Sequence, residues 1–290
     1  MRYGWWRPRL RSPGGPWRPG AALPCLALGL LLTLVSHVPA AEPLLEDLHY
    51  QLSVLAWRDA ARARLTLKRL GPGRFVAEVT GETRGFIKAV AGERRERLET
   101  EMVWRDGRLL PLVYREESRR GKKRGFKEYR FDYPGRRLEL WEWHNDEGLV
   151  KKWETALGEP VYDPVTAFYN YRLGILGPTR EGDTAAIPGV PYPRPETMEV
   201  RLGAKTGSGR QAMVSLANPL FGDDRGQVFA RVDERLVPQQ VWTTVYGITI
   251  RGKILPDSHL LPAGLKELPG ATAAAIPPGG GAGHGEQDYH

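Results

Sequence analysis

The stretch Ala61-Arg62-Ala63-Arg64-Leu65-Thr66-Leu67-Lys68 alternates apolar with polar side chains. Residues 61, 63, 65 and 67 share one face of an extended chain, and the residues between them share the other. This period of two predicts a β-strand with one buried face and one solvated face. The turn residues Gly71-Pro72-Gly73 then lead into a second such run, Arg74–Thr80.

The same pattern continues along the chain as short apolar runs separated by turn residues. Asp106-Gly107, Pro134-Gly135 and Asn145–Gly148 each stand between two such runs, and Asp-Gly is a strong hairpin signal. We count roughly a dozen strands spaced by about 8–12 residues. The sequence therefore predicts a mainly β protein built on one antiparallel sheet that is large enough to curl.

One segment departs from the strand pattern and predicts a helix over 164–173. Asp163 is a favourable N-cap, Pro164 suits the first helical position, and Gly174 suits the end. The apolar members of this segment would pack on the sheet.

The predicted sheet and helix together form one domain over residues 45–256. The alternative is two β-sandwiches divided near residue 185. Pro188–Pro195 holds four prolines, which we interpret as a stiff connector. Residues 257–290 are rich in Pro, Gly and Ala, and we expect this low-complexity tail to be disordered.

Residues 1–40 have the parts of a secretory signal peptide. Five arginines precede the apolar run 21–35, and Val38 and Ala40 are small enough for a signal-peptidase site. An apolar run of about 15 residues is shorter than the roughly 20 of a comfortable span, so we favour cleavage over an uncleaved anchor. We expect export to the periplasm and no stable transmembrane span after processing.

Removal of this leader changes the charge and the cysteine content. The 290 residues have 42 Lys and Arg against 34 Asp and Glu, a net charge of +8, and losing five arginines reduces it to +3. The high pI therefore reflects the leader, and we expect no nucleic-acid partner. Cys25, the single cysteine, also leaves, which excludes thiol catalysis and a disulfide scaffold.

The sequence lacks the motifs of the common catalytic and metal sites. It contains no nucleophile elbow, phosphate-binding loop or His-Glu-x-x-His motif, and its histidines are scattered. We therefore predict no catalytic residue, no metal and no cofactor.

Aromatic residues are the first candidate for a binding site. Trp141 and Trp143 share one face of a predicted strand, while Phe168, Tyr169 and Tyr171 lie on the predicted helix. These residues either pack in the core or line an apolar cleft between helix and sheet, where an acyl chain or another flat apolar group would bind.

The second candidate is the basic stretch 115–130, which we interpret as the tip of a long hairpin. Its densest part holds Arg119, Arg120, Lys122, Lys123 and Arg124. It is either a solvated loop that protects strand edges or a basic rim that attracts an anionic headgroup or acidic polysaccharide.

The run Tyr162-Asp163-Pro164-Val165-Thr166-Ala167-Phe168-Tyr169, followed by Tyr171-Arg172, resembles the central signature of DUF3108, a family of exported bacterial proteins. Residues Pro238–Trp242 and Ile248–Leu255 are similar to that family's closing strands, and the resemblance spans about 46–256. It implies a curved antiparallel sheet, or half-open barrel, that cradles one helix, in shape similar to envelope lipoprotein carriers. It implies no activity and no catalytic residue, and the basic stretch and the proline-rich connector depart from the family pattern.

The function that we expect is therefore non-catalytic binding of an apolar or lipid-like ligand in the periplasm. The alternatives are an interaction protein of envelope or polysaccharide-export assembly, with an envelope protein as its partner, and a hydrolytic enzyme.

Overall fold

The structure, a computed structural model, describes residues 44–260 except 146, 178–179, 191–194, 208, 218–224 and 246. The predicted leader and residues 261–290 of the predicted tail lie outside the described residues. The strands are β1 Leu44–Val54, β2 Trp57–Gly71, β3 Arg74–Thr83, β4 Arg94–Arg105, β5 Arg108–Arg120, β6 Lys123–Asp132, β7 Arg137–His144, β8 Gly148–Ala156, β9 Thr184–Gly189, β10 Glu196–Thr206, β11 Gly209–Ala217, β12 Arg225–Val232, β13 Pro238–Val245 and β14 Ile248–Ile254. The helices are α1 Gly85–Ala91 and α2 Pro164–Arg172.

All of these strands form one antiparallel sheet in the order β8-β7-β6-β5-β4-β3-β2-β1-β14-β13-β12-β11-β10-β9. Two runs of consecutive hairpins, β1 to β8 and β9 to β14, meet where β1 pairs with β14, for example Tyr50 with Ile254. The sheet is curved and not closed, because β8 and β9 stand at its two ends. The predicted fold class, a curved antiparallel sheet that cradles a helix, is confirmed.

The alternation that predicts β2 decides which face of the sheet is buried. Leu65 and Leu67 of β2 face the core beside Val79 and Ala77 of β3. Arg62, Arg64 and Thr66 alternate with the residues of the core face and lie on the opposite face. There, Arg64 pairs with Thr80 of β3. We call these the core face and the outer face of the sheet.

Helix α2 begins and ends close to its predicted bounds and lies against the core face. Val165 and Tyr169 pack with Leu67, Phe75 and Met102 from β2, β3 and β4. On another side of the helix, Ala167 and Tyr171 contact a cluster built from residues of β9 to β12. The helix therefore fills the hollow between the two halves of the curved sheet.

The short helix α1, between β3 and β4, is not predicted by the sequence analysis. Its seven residues are too few for a helical period to show. It begins after Arg84, whose backbone N–H donates to the carbonyl of Ala60 at 2.8 Å, so a contact with β2 fixes its start.

Within the described residues, no helix has the length and apolar character needed to cross a bilayer.

Candidate functional site

The polar residues of the α2 segment attach the helix to the sheet. The Asp163 carboxylate caps the helix by accepting from the backbone N–H groups of Val165 and Thr166 at 2.9 and 3.0 Å. It also accepts from the hydroxyls of Thr166 and, across the core, of Thr100 on β4 at 3.0 Å. Burial raises the pKa of Asp163, while the hydrogen bonds from Thr166 and Thr100 oppose that shift.

Bonds from three further residues attach the rest of the helix. The side-chain amide of Asn170 accepts from the backbone N–H of Leu109 and donates to its carbonyl, at 2.9 and 2.7 Å. Arg172 makes a bidentate ion pair with Glu46 of β1 at 2.7 and 3.0 Å, and both side chains are buried. The Tyr169 hydroxyl donates to the same carboxylate at 3.3 Å. The segment that resembles the DUF3108 signature therefore supplies structural contacts.

The three predicted binding aromatics of the helix lie among core residues. Tyr169 is fully buried and Tyr171 nearly so. Phe168 is half-buried, packs beside Tyr169, and lies 5.1 Å from the guanidinium of Arg172. Tyr169 and Tyr171 are therefore packed in the core, and Phe168 stays partly exposed beside Arg172.

The predicted tryptophans of β7 lie on the outer face, away from α2. Leu138 and Leu140 of the same strand face the core, so Trp141 and Trp143, which have the opposite parity, point outward. Trp141 lies 4.5 Å from the guanidinium of Arg130 and donates from its indole N–H to Glu139 at 2.9 Å. Trp143 is 54% exposed. The structure thus does not bring the tryptophans and the helix aromatics together.

A groove of about 1070 Å³ crosses the outer face between β1 and β8. Its floor is the backbone of one row of paired residues whose side chains have the parity of the core face: Ala63, Gly81, Glu96, Ser118 and Gly125. Because successive side chains point to opposite faces of a strand, the side chains of the two flanking rows stand on the outer face and form the walls. We call this feature the basic groove.

The walls of the basic groove are cationic along most of its length and apolar at one end. The apolar end is made by Phe126, Trp143 and Leu149 of β6, β7 and β8. Acidic side chains engage five of the seven arginines in the lining. The charged lining consists of seven arginines and three glutamates: Arg62, Arg64, Arg84, Arg95, Arg97, Arg119 and Arg124 with Glu82, Glu96 and Glu117. The groove can therefore accommodate an anionic group and an apolar group in one ligand.

A ladder of ion pairs begins in the wall of the groove and continues along the outer face. Arg97 contacts Glu78 at 2.7 Å and Glu117 at 3.0 Å, and Arg115 contacts Glu128 at 2.8 Å. Burial acts to raise the pKa of Glu128, but the hydrogen bonds from Arg115 and Arg130 outweigh it and lower that pKa.

Two arginines of the groove are outside this ladder. No ion pair joins Arg119 or Arg124 to a carboxylate within the part of the chain that the structure describes, and Arg119 bonds only the carbonyl of Gly121, at 3.3 Å. These two guanidiniums are available to an incoming anion.

The predicted basic rim lies at the β5–β6 hairpin, as the sequence suggests. Arg119, Arg120, Lys122, Lys123 and Arg124 are all exposed. Arg119 and Arg124 line the basic groove together with the predicted Trp143. Sequence reasoning missed the other groove arginines. Their signal is arginine at every second position, as at Arg62 and Arg64 on β2 and at Arg95 and Arg97 on β4.

One end of the basic groove holds a histidine between two carboxylates, with a serine nearby. The ring nitrogens of His49 lie 2.9 Å from Asp47 and 2.9 Å from Asp257. The hydroxyl of Ser258, however, accepts from the backbone N–H of His49 and donates to its carbonyl, at 2.9 and 3.3 Å. The serine is thus bonded to the backbone of His49. A proton relay would require a bond to the His49 ring instead.

Among residues 44–260, outside the gaps named above, no three His, Cys, Asp or Glu side chains are grouped so as to hold a metal ion.

Comparisons with known proteins give a family and one similar solved structure. The profile of a family described as "Protein of unknown function (DUF3108)" matches residues 47–206. Among solved structures, the chain is similar to the crystal structure of a β-barrel-like protein of domain of unknown function DUF1849 from Brucella abortus. The two share 9% identity at a TM-score of 0.46, over 74% of this chain and 98% of that one. No curated protein matches the chain.

Proposed function

The chain belongs to the DUF3108 family, and from that premise we propose that it is a non-catalytic binding protein whose basic groove holds an amphiphilic anion, such as an acyl chain with an acidic headgroup. The observation that carries this proposal is the lining of the groove, where guanidiniums without carboxylate partners and an exposed aromatic end open onto the same space of about 1070 Å³.

Charge supports an anionic ligand. Arg119 and Arg124 stand on neighbouring strands, β5 and β6, and are paired in register. A carboxylate or phosphate between them would accept charge-assisted hydrogen bonds from both guanidiniums, the stronger class of hydrogen bond. The positive charge of these two guanidiniums would also raise the rate at which an anion is captured.

Shape and apolar surface support an acyl chain or a similar apolar group. Trp143 is more than half exposed, and Leu149, its pairing partner on β8, lies beside it in the groove. Covering these side chains would stabilise the complex by about 25 cal/mol per Å² of apolar surface removed from water. The aliphatic stems of the arginines extend the apolar surface along the walls.

The same proposal includes the periplasm as the place where the protein works. It rests on residues 1–40, where arginines, an apolar run and small residues follow one another as in a signal peptide. Mass spectrometry of the protein from the cell envelope tests this part. We expect a first residue shortly after Ala40, and an intact N-terminus would contradict cleavage.

The binding experiment measures the affinity of a fluorescent fatty acid for the purified protein. Trp143→Ala should weaken binding about tenfold, because about 1.5 kcal/mol of aromatic burial is lost. Trp57→Ala is the matched control, since Trp57 is also exposed but does not line the groove. Its effect should stay within twofold.

A second pair of variants tests the anionic part of the ligand. Arg119→Gln combined with Arg124→Gln should weaken binding of the fatty acid but not of its uncharged methyl ester. Arg105→Gln, at an exposed position outside the groove, should change neither. Equal binding of the probe to all of these variants, or no binding to the natural protein, would refute the proposal.

A further inference from the structure

We propose that one rim of the sheet docks on an anionic bilayer surface. In an antiparallel meander successive turns alternate between the two ends of the strands, so the β1–β2, β5–β6, β7–β8 and β13–β14 turns lie together with α1 at one end. We call this end the α1 rim and the other, with the β2–β3 and β4–β5 turns, the opposite rim. The inference does not depend on the ligand proposed for the basic groove.

Exposed apolar side chains concentrate on the α1 rim. Among the described residues, seven large hydrophobic side chains are exposed, and five of them belong to this rim: Leu55, Trp57, Phe86, Trp143 and Ile248. The other two, Leu44 and Leu70, lie toward the opposite rim. Random exposure of single hydrophobic residues would not favour one end.

One of these side chains, Leu55, is placed at a conformational cost, and another, Phe86, forms an exposed stack. Leu55, at the tip of the β1–β2 turn, is 63% exposed and has a φ of 52°, a left-handed conformation that disfavours leucine. Phe86 on α1 is 52% exposed and stacks on Trp57 with ring centroids 4.9 Å apart. This stack forms a protruding aromatic pair beside the leucine tip, where an apolar partner could cover both.

The α1 rim also carries cations without acidic partners. Within the described part of the chain, no ion pair engages five of its basic residues, all of them exposed: Arg58, Arg120, Lys122, Lys123 and Arg124. Two acids of this rim are already engaged, Glu82 by Arg84 at 2.9 Å and Glu93 by Arg95 at 2.9 Å. Glu147 in the β7–β8 turn is exposed and has no ion pair among the described residues, so free cations outnumber free acids there. The rim therefore presents unneutralised positive charge around its apolar tips.

This combination matches a bilayer surface better than a protein partner. A protein interface has a contiguous desolvated centre from which lysine is depleted. Here the apolar side chains are spread over separate turns with lysine and arginine among them. Separate Leu, Trp and Phe side chains at one end of the strands can enter the headgroup region, while the cations remain at its anionic surface.

The geometry also connects the α1 rim to the basic groove. Arg84, Arg119, Arg124 and Trp143 belong to the rim and line the groove. A docked protein would hold the groove open toward the membrane, so a lipid-like ligand could pass from the bilayer into the groove. This last step, unlike the docking itself, rests on the proposed function.

The test is sedimentation with vesicles, using the full chain expressed in bacteria and purified in its processed form. Every variant shares the same N-terminus, so any contribution from the leader cancels. We expect binding to vesicles of equal parts phosphatidylglycerol and phosphatidylcholine, and little binding to phosphatidylcholine alone. High salt should release the protein, because it screens exposed charges.

Two double variants separate the charged from the apolar contribution. Lys122→Gln with Lys123→Gln should lower the partition coefficient about thirtyfold, since each cation near an anionic surface contributes about a factor of five. Leu55→Ser with Phe86→Ser should lower it about tenfold or more. The matched controls on the opposite rim are Leu44→Ser with Leu70→Ser and Arg105→Gln with Arg136→Gln, and these should stay within twofold.

The outcomes distinguish this proposal from the proposed function. Three results would overturn docking: no binding to the anionic vesicles, equal binding to neutral vesicles, or equal losses in variants of the two rims. A rim that served a protein partner would give no binding to the vesicles. Fatty-acid binding in solution, measured on the same variants, reports on the groove alone. Loss of vesicle binding in Leu55→Ser with Phe86→Ser while fatty-acid binding is retained would confirm that the rim acts separately.

Discussion

Replacement of Arg172 by Met tests whether the signature segment of α2 is structural. The guanidinium and the Glu46 carboxylate form a two-bond ion pair with side chains that are 3% and 0% exposed. Removing the arginine leaves a carboxylate that water cannot reach, with the Tyr169 hydroxyl at 3.3 Å as its remaining side-chain donor. Breaking one partner of a buried pair costs about 3–5 kcal/mol, out of the roughly 5–15 kcal/mol that stabilise a typical domain.

Guanidinium denaturation followed by tryptophan fluorescence measures this loss. We expect the midpoint to fall by about 1 M, because the denaturant slope for a domain of this size is several kcal/mol per M. The matched control is Arg84→Met. Arg84 also makes two contacts with one glutamate, Glu82, but both partners are more than 40% exposed. Such an exposed pair should contribute less than about 1 kcal/mol.

A double variant completes the cycle. Glu46→Leu with Arg172→Met removes both charges and should be more stable than Arg172→Met alone, because no buried carboxylate is left without its partner. Equal midpoints for Arg172→Met and Arg84→Met would refute the conclusion that this arginine holds the helix to β1. Fatty-acid binding by folded Arg172→Met protein should be unchanged, since Arg172 does not line the basic groove.

Three further predictions concern the helix cap, acid stability and one crowded glycine. Asp163→Ala should lower stability by about 2–4 kcal/mol in thermal denaturation, since it removes the cap and leaves buried donors without an acceptor; a loss below about 1 kcal/mol would contradict this. The hydrogen bond from Arg64 lowers the pKa of Asp47 below its ordinary 3.8. The pair therefore stabilises the fold above that pH and loses its effect as the pH falls through the folded value. Arg64→Gln should cost about 1 kcal/mol at neutral pH and nothing in strong acid, measured as denaturation midpoints against pH; a constant difference would contradict the assignment. A Cβ at Gly252 would lie 2.6 and 2.8 Å from side-chain carbons of its neighbours, so Gly252→Ala should destabilise by about 1–3 kcal/mol. Gly71→Ala, where nothing lies within 4 Å, should be neutral, and equal losses at the two glycines would show that the close contacts do not matter.

The fold is largely readable from the sequence because its signals are local. The alternation in Ala61–Lys68 gives a strand, the Asp106-Gly107 turn gives a hairpin, and Asp163-Pro164 starts α2. The helix α1 was missed because its start depends on a contact between Arg84 and Ala60, which no local pattern encodes.

The candidate site was predicted only in part, because it depends on which face each side chain occupies. The sequence grouped Trp141 and Trp143 correctly on one face of a strand. Their opposite parity to Leu138 and Leu140 was the available signal that this face points away from the helix. The basic groove itself arises where the floor residues of five strands fall into one row, from Ala63 to Gly125, and that register is fixed only by the assembled sheet.

The pairing of β1 with β14 bears on the order in which the protein can fold. Every other neighbouring pair of strands in the sheet is also consecutive in the chain, so these pairs can form by closing short loops. The junction of β1 with β14 joins residues such as Tyr50 and Ile254, about 200 positions apart, and contacts of such separation form slowly. We expect the two meanders to form early and to combine last, when β1 pairs with β14. Until that pairing forms, the edges of β1 and β14 are unpaired and exposed to aggregation.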